Sequence, residues 1–267
     1  MAEVFIKVCP VLENQRLAER TFLMRLQAPE IAAVAKPGQF IMVQTGPGWR
    51  QGGPLLRRPF SLHRLGPSGE ISLLYRVVGV GTRLMERMDP GDKLEVVGPL
   101  GRGFNLHLGD TQAYLAAGGI GLAPMIALAE ALTGQPSKFF YGARTSDEVD
   151  AFLGLLGQAS YAGEIIVISE DGLRFPKGMV TEPLAAALKA GPASIFACGP
   201  RPMLAQVAVL AREAGSPAQV SLEAHMACGL GACLSCAVEL ASSGRDEPVY
   251  ARACVEGPVF SAEEVRW

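Results

Sequence analysis

Apolar and polar positions alternate with a two-residue period over the first third of the chain and then change to a longer, mixed rhythm. Up to about residue 103, short alternating runs are separated by glycine and proline turns. The runs at 4–12, 21–27, 39–44, 58–65, 70–77 and 93–97 read as six strands without long helices between them, which predicts an antiparallel β-barrel or sandwich. From residue 105 onward the pattern predicts strands at 113–117, 138–141, 164–169, 193–197 and 219–223. Helices are predicted over 122–132, 147–156, 181–189 and 202–214. Such alternation implies an α/β domain with an open, mostly parallel sheet and helices on both faces. The tail from residue 216 carries a cysteine-rich loop, a strand at 237–240, a polar turn at 241–247 and a strand at 249–253, as in a hairpin.

Composition narrows the class. At 267 residues the chain has room for about two domains and an appendage. A hydrophobic fraction of 49% against 19% charged residues describes an ordered globular protein. The net charge of -2, without a basic stripe, argues against a nucleic-acid partner. The uncharged stretch 111–129 is long enough to raise the question of a membrane span. Gly118, Gly119, Gly121 and Pro124 interrupt it, so strand, turn and buried helix is the better reading, with no membrane. The first residues lack the basic and long apolar regions of a secretory signal, and a cytoplasmic location is expected.

Candidate chemistry concentrates first in the tail. Four of the six cysteines, Cys228, Cys233, Cys236 and Cys254, are spaced C-x4-C-x2-C and then, after seventeen residues, C. The first gaps match plant-type [2Fe-2S] ligation, and Gly229, Gly231 and Ala232 leave room for a tight loop with backbone N–H groups aimed at sulfur. A four-cysteine zinc site would use the same donors, although zinc ribbons more often pair two C-x2-C knuckles. Disulfides would need an oxidising compartment. Cys9 reads as a buried thiol. His63, His107 and His225 are scattered and read as packing or hydrogen-bonding residues, with His225 placed to tune the cysteine loop.

Further upstream, Arg57-Arg58-Pro59-Phe60-Ser61 offers a guanidinium and a hydroxyl at a strand, or is a strand end with solvated arginines. Leu74-Tyr75-Arg76 is followed by Gly79-Val80-Gly81-Thr82, with Thr82 as a candidate N-cap of a helix whose start suits a pyrophosphate. The turn Gly118-Gly119-Ile120-Gly121 follows a buried strand and has Pro124 where a third glycine would stand. Cys198-Gly199-Pro200 ends another strand at the ligand edge of the sheet; an isolated cysteine there would read as a small buried hydrophobe. Glu170, Asp171, Asp147 and Glu148 are candidate ribose ligands or solvated loop charges, and no arginine cluster marks a 2'-phosphate pocket, which favours NAD over NADP. The loop 45–54, with four glycines and two prolines, is a surface loop or a lid.

Taken in order, Arg58-Pro59-Phe60-Ser61, Gly81-Thr82 and Gly98-Pro99-Leu100-Gly101 resemble the flavin domain of the ferredoxin reductase superfamily. The glycine turn with Cys198-Gly199-Pro200-Arg201-Pro202-Met203 resembles its nicotinamide domain. Over essentially the whole chain the order of motifs is similar to the electron-transfer subunits of class 1B dihydroorotate dehydrogenase. The most specific matches are M-A-C-G-L-G-A-C at 226–233 and C-V-E-G-P-V-F at 254–260. Ser235 departs from the pattern, where alanine or another small residue is expected between the second and third ligands.

The resemblance implies three parts: a FAD-binding barrel over 1–104, an NAD-binding domain over 105–215 and a [2Fe-2S] subdomain over 216–267. It implies FAD held by Arg58, Pro59, Phe60 and Ser61, with Leu74, Tyr75 and Arg76 beside it and Gly81 and Thr82 on the diphosphate. NAD would lie at Gly118, Gly119, Gly121, Gly199 and Pro200, with Cys198 beside the nicotinamide as the catalytic residue. Cys228, Cys233, Cys236 and Cys254 would ligate the cluster. The chain contains no convincing acid–base constellation for pyrimidine chemistry, which the resemblance assigns to an FMN-containing catalytic subunit in a heterotetramer of two of each. Electrons from dihydroorotate would then leave through FMN, the cluster and FAD to NAD, with the loop 227–236 facing the partner. A subunit of a ferredoxin:NADP oxidoreductase or hydrogenase shares these motifs, and a zinc-stapled, non-catalytic binding module is the alternative from another class.

Overall fold

The computed structural model describes residues 3–46, 53–109, 111–159, 161–241 and 248–267; most of the loop 45–54 and nearly all of the turn 241–247 lie outside the described residues. The first part holds β1 (Phe5–Ala18), β2 (Thr21–Gln27), β3 (Phe40–Gln44), β4 (Arg58–Ser61), β5 (Arg64–Leu65), β6 (Glu70–Arg76) and β7 (Lys93–Leu100). They form one antiparallel sheet in the order β4-β3-β7-β1-β2-β6-β5. The edge strands β4 and β5 are consecutive in the chain, so the predicted strand at 58–65 is two. Between them, Leu62 N–H donates to Gln39 O (3.1 Å) and His63 N–H donates to Ser72 O (2.8 Å), which draws the two edges toward each other. The expected barrel is thus a curled antiparallel sheet, filled by Met24, Leu26, Ile41, Val43, Leu73, Tyr75 and Val96.

Two features of this sheet escape its hydrophobic pattern. β1 extends well past residue 12, because register shifts between Val11 and Glu13 and between Arg16 and Ala18 break the alternation. A helix α1 (Pro29–Val34) closes one end of the core; six residues burying only Ile31 carry no periodic signal. The next helix, α2 (Val80–Glu86), follows the glycine run.

The second sheet contains β8 (Ala113–Gly118), β9 (Ser137–Ala143), β10 (Glu164–Ser169), β11 (Ser194–Cys198) and β12 (Ala218–Ser221), all parallel. Helices α3 (Leu122–Ala131), α4 (Ser146–Gly157), α5 (Thr181–Leu188) and α6 (Arg201–Glu213) connect or cover them. α3 is almost wholly apolar and its residues 122–129 are buried. By contrast α4 is amphipathic, begins where Thr145 Oγ1 accepts from Glu148 N–H (3.3 Å), and carries Asp147 and Glu148 in its first turn, as a helix N-terminus favours. The order β10-β9-β8-β11-β12 reverses between β8 and β11, and ligands of such sheets sit at that switch point.

In the tail, β13 (Ala237–Leu240) and β14 (Val249–Arg252) pair antiparallel, and β15 (Val259–Ser261) returns to pair antiparallel with β12. The sequence pattern did not announce β15, which is three residues long. Cys236, Val238, Ala253 and Cys254 share a core with Phe40, Met42, Val97 and Leu100 of β3 and β7, so the tail is anchored to both sheets. The curled sheet is in turn fixed to the α/β part by ion pairs Arg64–Glu130 (2.7 Å) and Arg76–Glu148 (2.6 Å). Among the described residues no helix is long and apolar enough to cross a membrane.

Candidate active site and cysteine centre

All three parts meet on one cleft of about 580 Å³. One wall is Arg58, Pro59, Phe60 and Ser61 of β4 with Leu74, Tyr75 and Arg76 of β6; Gly81 and Thr82 of α2 continue it. Opposite stand Gly121, at the start of α3, and Cys198, at the end of β11. Residues 221–226, leading from β12 toward the cysteine loop, close the third side. The volume is in the range of small-molecule and cofactor sites.

The flavin-side residues differ in what they offer. Arg58 is half-buried, and its Nη1 donates to Leu56 O (2.5 Å), fixing the guanidinium on the wall. Tyr75 is only 2% exposed, donates its hydroxyl to Asn14 Oδ1 (3.0 Å) and stacks on Phe22 (5.6 Å), so its side chain belongs to the sheet's core. Arg76 is already paired with Glu148. Thr82 is not the N-cap: Gly79 is, and Thr82, at the third helical position, accepts from Val78 N–H (2.9 Å) and Gly79 N–H (3.1 Å). Its hydroxyl is spent on the turn, while the first N–H groups of the helix have no intrahelical acceptor. Beside them, a Cβ on Gly81 would come within 2.6 Å of Thr45 Oγ1, a buried hydroxyl without a partner among the described residues. Donors, a close-approach glycine and an orphaned buried hydroxyl together fit a flavin dinucleotide.

On the nucleotide side, β8 and β11 are neighbours in register, Ala117 opposite Cys198. Their turns therefore touch. A Cβ on Gly121 would run into the Cys198 carbonyl, one on Gly118 would lie 2.5 Å from Met203 Sδ, and one on Gly199 2.8 Å from the same sulfur. These glycines permit the packing of the two turns. Gly118, Gly119, Gly199 and Pro200 lie behind the cleft and do not line it. Cys198 does line it; it is 3% exposed, and burial, reinforced by the Glu223 carboxylate, pushes its thiol up to about 12. The thiol is neutral. Of the candidate ribose ligands, Asp171 accepts from Ser146 N–H and Ser146 Oγ (both 2.8 Å), and Asp147 is bound to Arg174 (2.6 Å). Those carboxylates serve the loop, whereas Glu170 is exposed at the end of β10.

The third wall is the one that motif reading missed. Ser221, Glu223, His225 and Met226 line the cleft. Glu223 is solvent-exposed where it lines the cavity, and partial desolvation by the surrounding walls raises its carboxyl. The polar pair Glu223 and His225 in an otherwise apolar approach to Cys228 was the available signal. From Met226 the chain reaches Cys228 in two residues, a span of at most about 7 Å.

The four cysteines gather as two pairs. Cys236 Sγ lies 3.2 Å from Cys254 Sγ, both buried, while Cys233 is exposed and within hydrogen-bonding reach of Cys228. Cys254 also feels Cys228, which brings the pairs together. Among the described residues no three His, Cys, Asp or Glu side chains group tightly enough to share one ion. Two thiolates per iron is the donor arrangement of a [2Fe-2S] cluster. Ser235, unexpected in the sequence, accepts from Ala227 N–H (3.0 Å) and lies 3.2 Å from Cys233 Sγ, holding that thiol down to about 6. Leu230 N–H donates to Cys228 Sγ (3.3 Å). Gly229 and Gly231, at φ +71° and +83°, make these turns, and a Cβ on Gly229 would strike Met42. The loop thus supplies three sulfurs and an N–H donor to sulfur, and the segment after β14 brings the fourth, Cys254.

Residues 223–266 match the model of the iron-sulfur cluster binding domain of dihydroorotate dehydrogenase B. The chain is 38% identical to the electron transfer subunit of dihydroorotate dehydrogenase B (NAD(+)) from Desulforamulus reducens, over 96% of this chain and 97% of that one. It is 36% identical to the corresponding subunit from Caldanaerobacter subterraneus, over 96% of each. Among solved structures, one of an NADH-dependent reduced ferredoxin-NADP oxidoreductase is similar with a TM-score of 0.80 at 30% identity, covering 97% of this chain and 90% of that one. A ferredoxin NADP+ reductase from Neisseria gonorrhoeae shares the fold, with a TM-score of 0.66 at 14% identity over 79% of this chain and 92% of that one.

Proposed function

The chain belongs to the family of dihydroorotate dehydrogenase B electron transfer subunits, and from that premise we propose that it carries electrons between a dihydroorotate-oxidising partner and NAD. It is an oxidoreductase subunit that uses FAD, an iron-sulfur cluster and NAD. FAD supplies the exchange between the two-electron chemistry of nicotinamide and the one-electron chemistry of the cluster.

The observation that carries this reading is the shared cleft, where the flavin strand, the Cys198 turn and the approach to Cys228 are three walls of one cavity. Arg58, Pro59, Phe60 and Ser61 hold the flavin, Leu74, Tyr75 and Arg76 back it, and Gly81 and Thr82 offer backbone N–H groups to its diphosphate. Cys198 stands beside the nicotinamide as an uncharged thiol. Gly118, Gly121 and Gly199 shape the NAD site by letting its two turns meet, and Gly119, at φ +53°, and Pro200 set the course of those turns. Cys228, Cys233, Cys236 and Cys254 hold the cluster. The parts divide as 1–104 for FAD, 105–215 for NAD and 216–267 for the cluster, with β12 and β15 joining the last to the NAD sheet.

A catalytic partner subunit follows from the family. In its finer form the proposal is a cytoplasmic heterotetramer with two FMN-containing catalytic subunits, met through the loop 227–236. Leu230 and Leu234, 56% and 61% exposed beside the cysteines, support that face. A second reading, service to a ferredoxin:NADP oxidoreductase, is favoured by the likeness to the NADH-dependent enzyme. Purification with the native partner and assay of dihydroorotate-dependent NAD+ reduction separates the two. Activity is expected; a fully loaded complex that leaves dihydroorotate untouched would refute the leading reading.

A further inference from the structure

Beside the cysteine loop, a second set of contacts joins the two chain segments that carry the sulfurs. Arg252 and Glu256 bracket Cys254. Arg252 N–H donates to Glu256 Oε2 (2.8 Å), its Nε to the same oxygen (3.1 Å) and its Nη2 to Oε1 (2.5 Å), a two-pronged ion pair. The remaining prong, Nη1, donates to Gly231 O (3.1 Å), midway between Cys228 and Cys233. At φ +83°, Gly231 has no space for a side chain: a Cβ would lie 2.6 Å from Val255 Cγ2 and 3.2 Å from Arg252 Nη1. Arg252 stands two residues before Cys254, whose Sγ lies 3.2 Å from Cys236 Sγ, so the guanidinium belongs to the segment that brings these two sulfurs together.

With side chains 38% and 33% exposed, an i,i+4 pair contributes little to stability by itself. Its consequence lies in what the guanidinium holds. We propose that Arg252 and Glu256 form a positioning clamp for the iron-sulfur cluster, tying the 228–236 loop to the Cys254 segment through Gly231 and setting the charge beside Cys236 and Cys254. The clamp presupposes the cluster reading above. Backbone N–H bonds to sulfur and nearby charge are the means by which a protein adjusts such a centre. The reduced cluster is more negative than the oxidised one, so the Arg252 cation favours reduction and the Glu256 carboxylate opposes it.

The test uses the full chain, isolated anaerobically with its cofactors, as wild type, Arg252→Met, Arg252→Lys and Glu256→Gln. All three variants are expected to lose metal to a chelator about tenfold faster or more than wild type. Midpoint potentials from a titration followed by paramagnetic resonance should move in opposite directions, down in Arg252→Met and up in Glu256→Gln, with Arg252→Lys near wild type. Mere structural damage would not reverse the sign. NADH-dependent flavin reduction, which needs neither residue, is the folding control. Unchanged release rates, or potentials that stay put or shift the same way, would overturn the clamp. Zinc in place of iron in the wild-type protein would instead overturn the cluster reading, and the release rates would still decide the clamp.

Discussion

Cys198 has its thiol in the cleft and its proton held by burial. Because its folded value is raised from 9.0 to about 12, the stability it contributes is present below pH 9 and lost as the pH rises toward the folded value. It therefore acts as a neutral group at physiological pH. Cys198→Ala should keep FAD bound and slow flavin reduction by NADH at least about tenfold, through loss of nicotinamide placement. Stopped-flow reduction checks this, and an unchanged rate would remove Cys198 from the site. His63 makes a second single-residue prediction. It is buried between the two main parts, with Nδ1 3.2 Å from Ala123 O, and burial pushes its value down to about 3 from 6.5. A lowered histidine gives stability that is present above pH 6.5 and lost as pH falls toward 3. At pH 5 the loss is about 2 kcal/mol. His63→Gln should be less stable at pH 7 but lose less between pH 7 and 5 in denaturant titrations; an equal loss would contradict the assignment.

At the scale of elements, the meeting of the β8 and β11 turns is the most demanding local packing. Gly121→Ala forces a methyl against the Cys198 carbonyl, with an expected cost of about 1–3 kcal/mol and a raised KM for NADH. Gly119→Ala meets no neighbour but must hold φ +53°, and costs about 1–2 kcal/mol. Thermal melts and NADH titrations of the two variants test that order. These turns were legible in the sequence because glycine and cysteine stood directly after buried strands. Most strands were legible for the same reason, an unbroken alternation. The signal fails where packing overrides it: in the bulged half of β1, in α1 with its single buried residue, and in β15, whose three residues are defined by pairing with β12. The wall at 221–226 was hidden for a different reason, since nothing local says that the approach to the cysteines faces the flavin strand. Likewise nothing near Arg76 in the sequence announces that Glu148, seventy-two residues on, pairs with it at the cleft.

The whole molecule brings the β4 strand, Cys198 and the 221–226 approach to the cysteine loop onto one cleft. The tail is not a separate bead, because β15 extends the parallel sheet while Cys236 and Cys254 share a core with β3 and β7. That anchorage fixes the cysteine loop relative to the flavin strand, as a relay requires. The chain isolated anaerobically and mixed with NADH tests this most directly, with metal analysis and with Cys233→Ser alongside. The account predicts flavin and iron-sulfur absorbance with about two irons per chain, loss of flavin colour followed by cluster reduction, and in Cys233→Ser flavin reduction with no cluster. A colourless or zinc-containing protein, or equal loss of both reductions in Cys233→Ser, would contradict it.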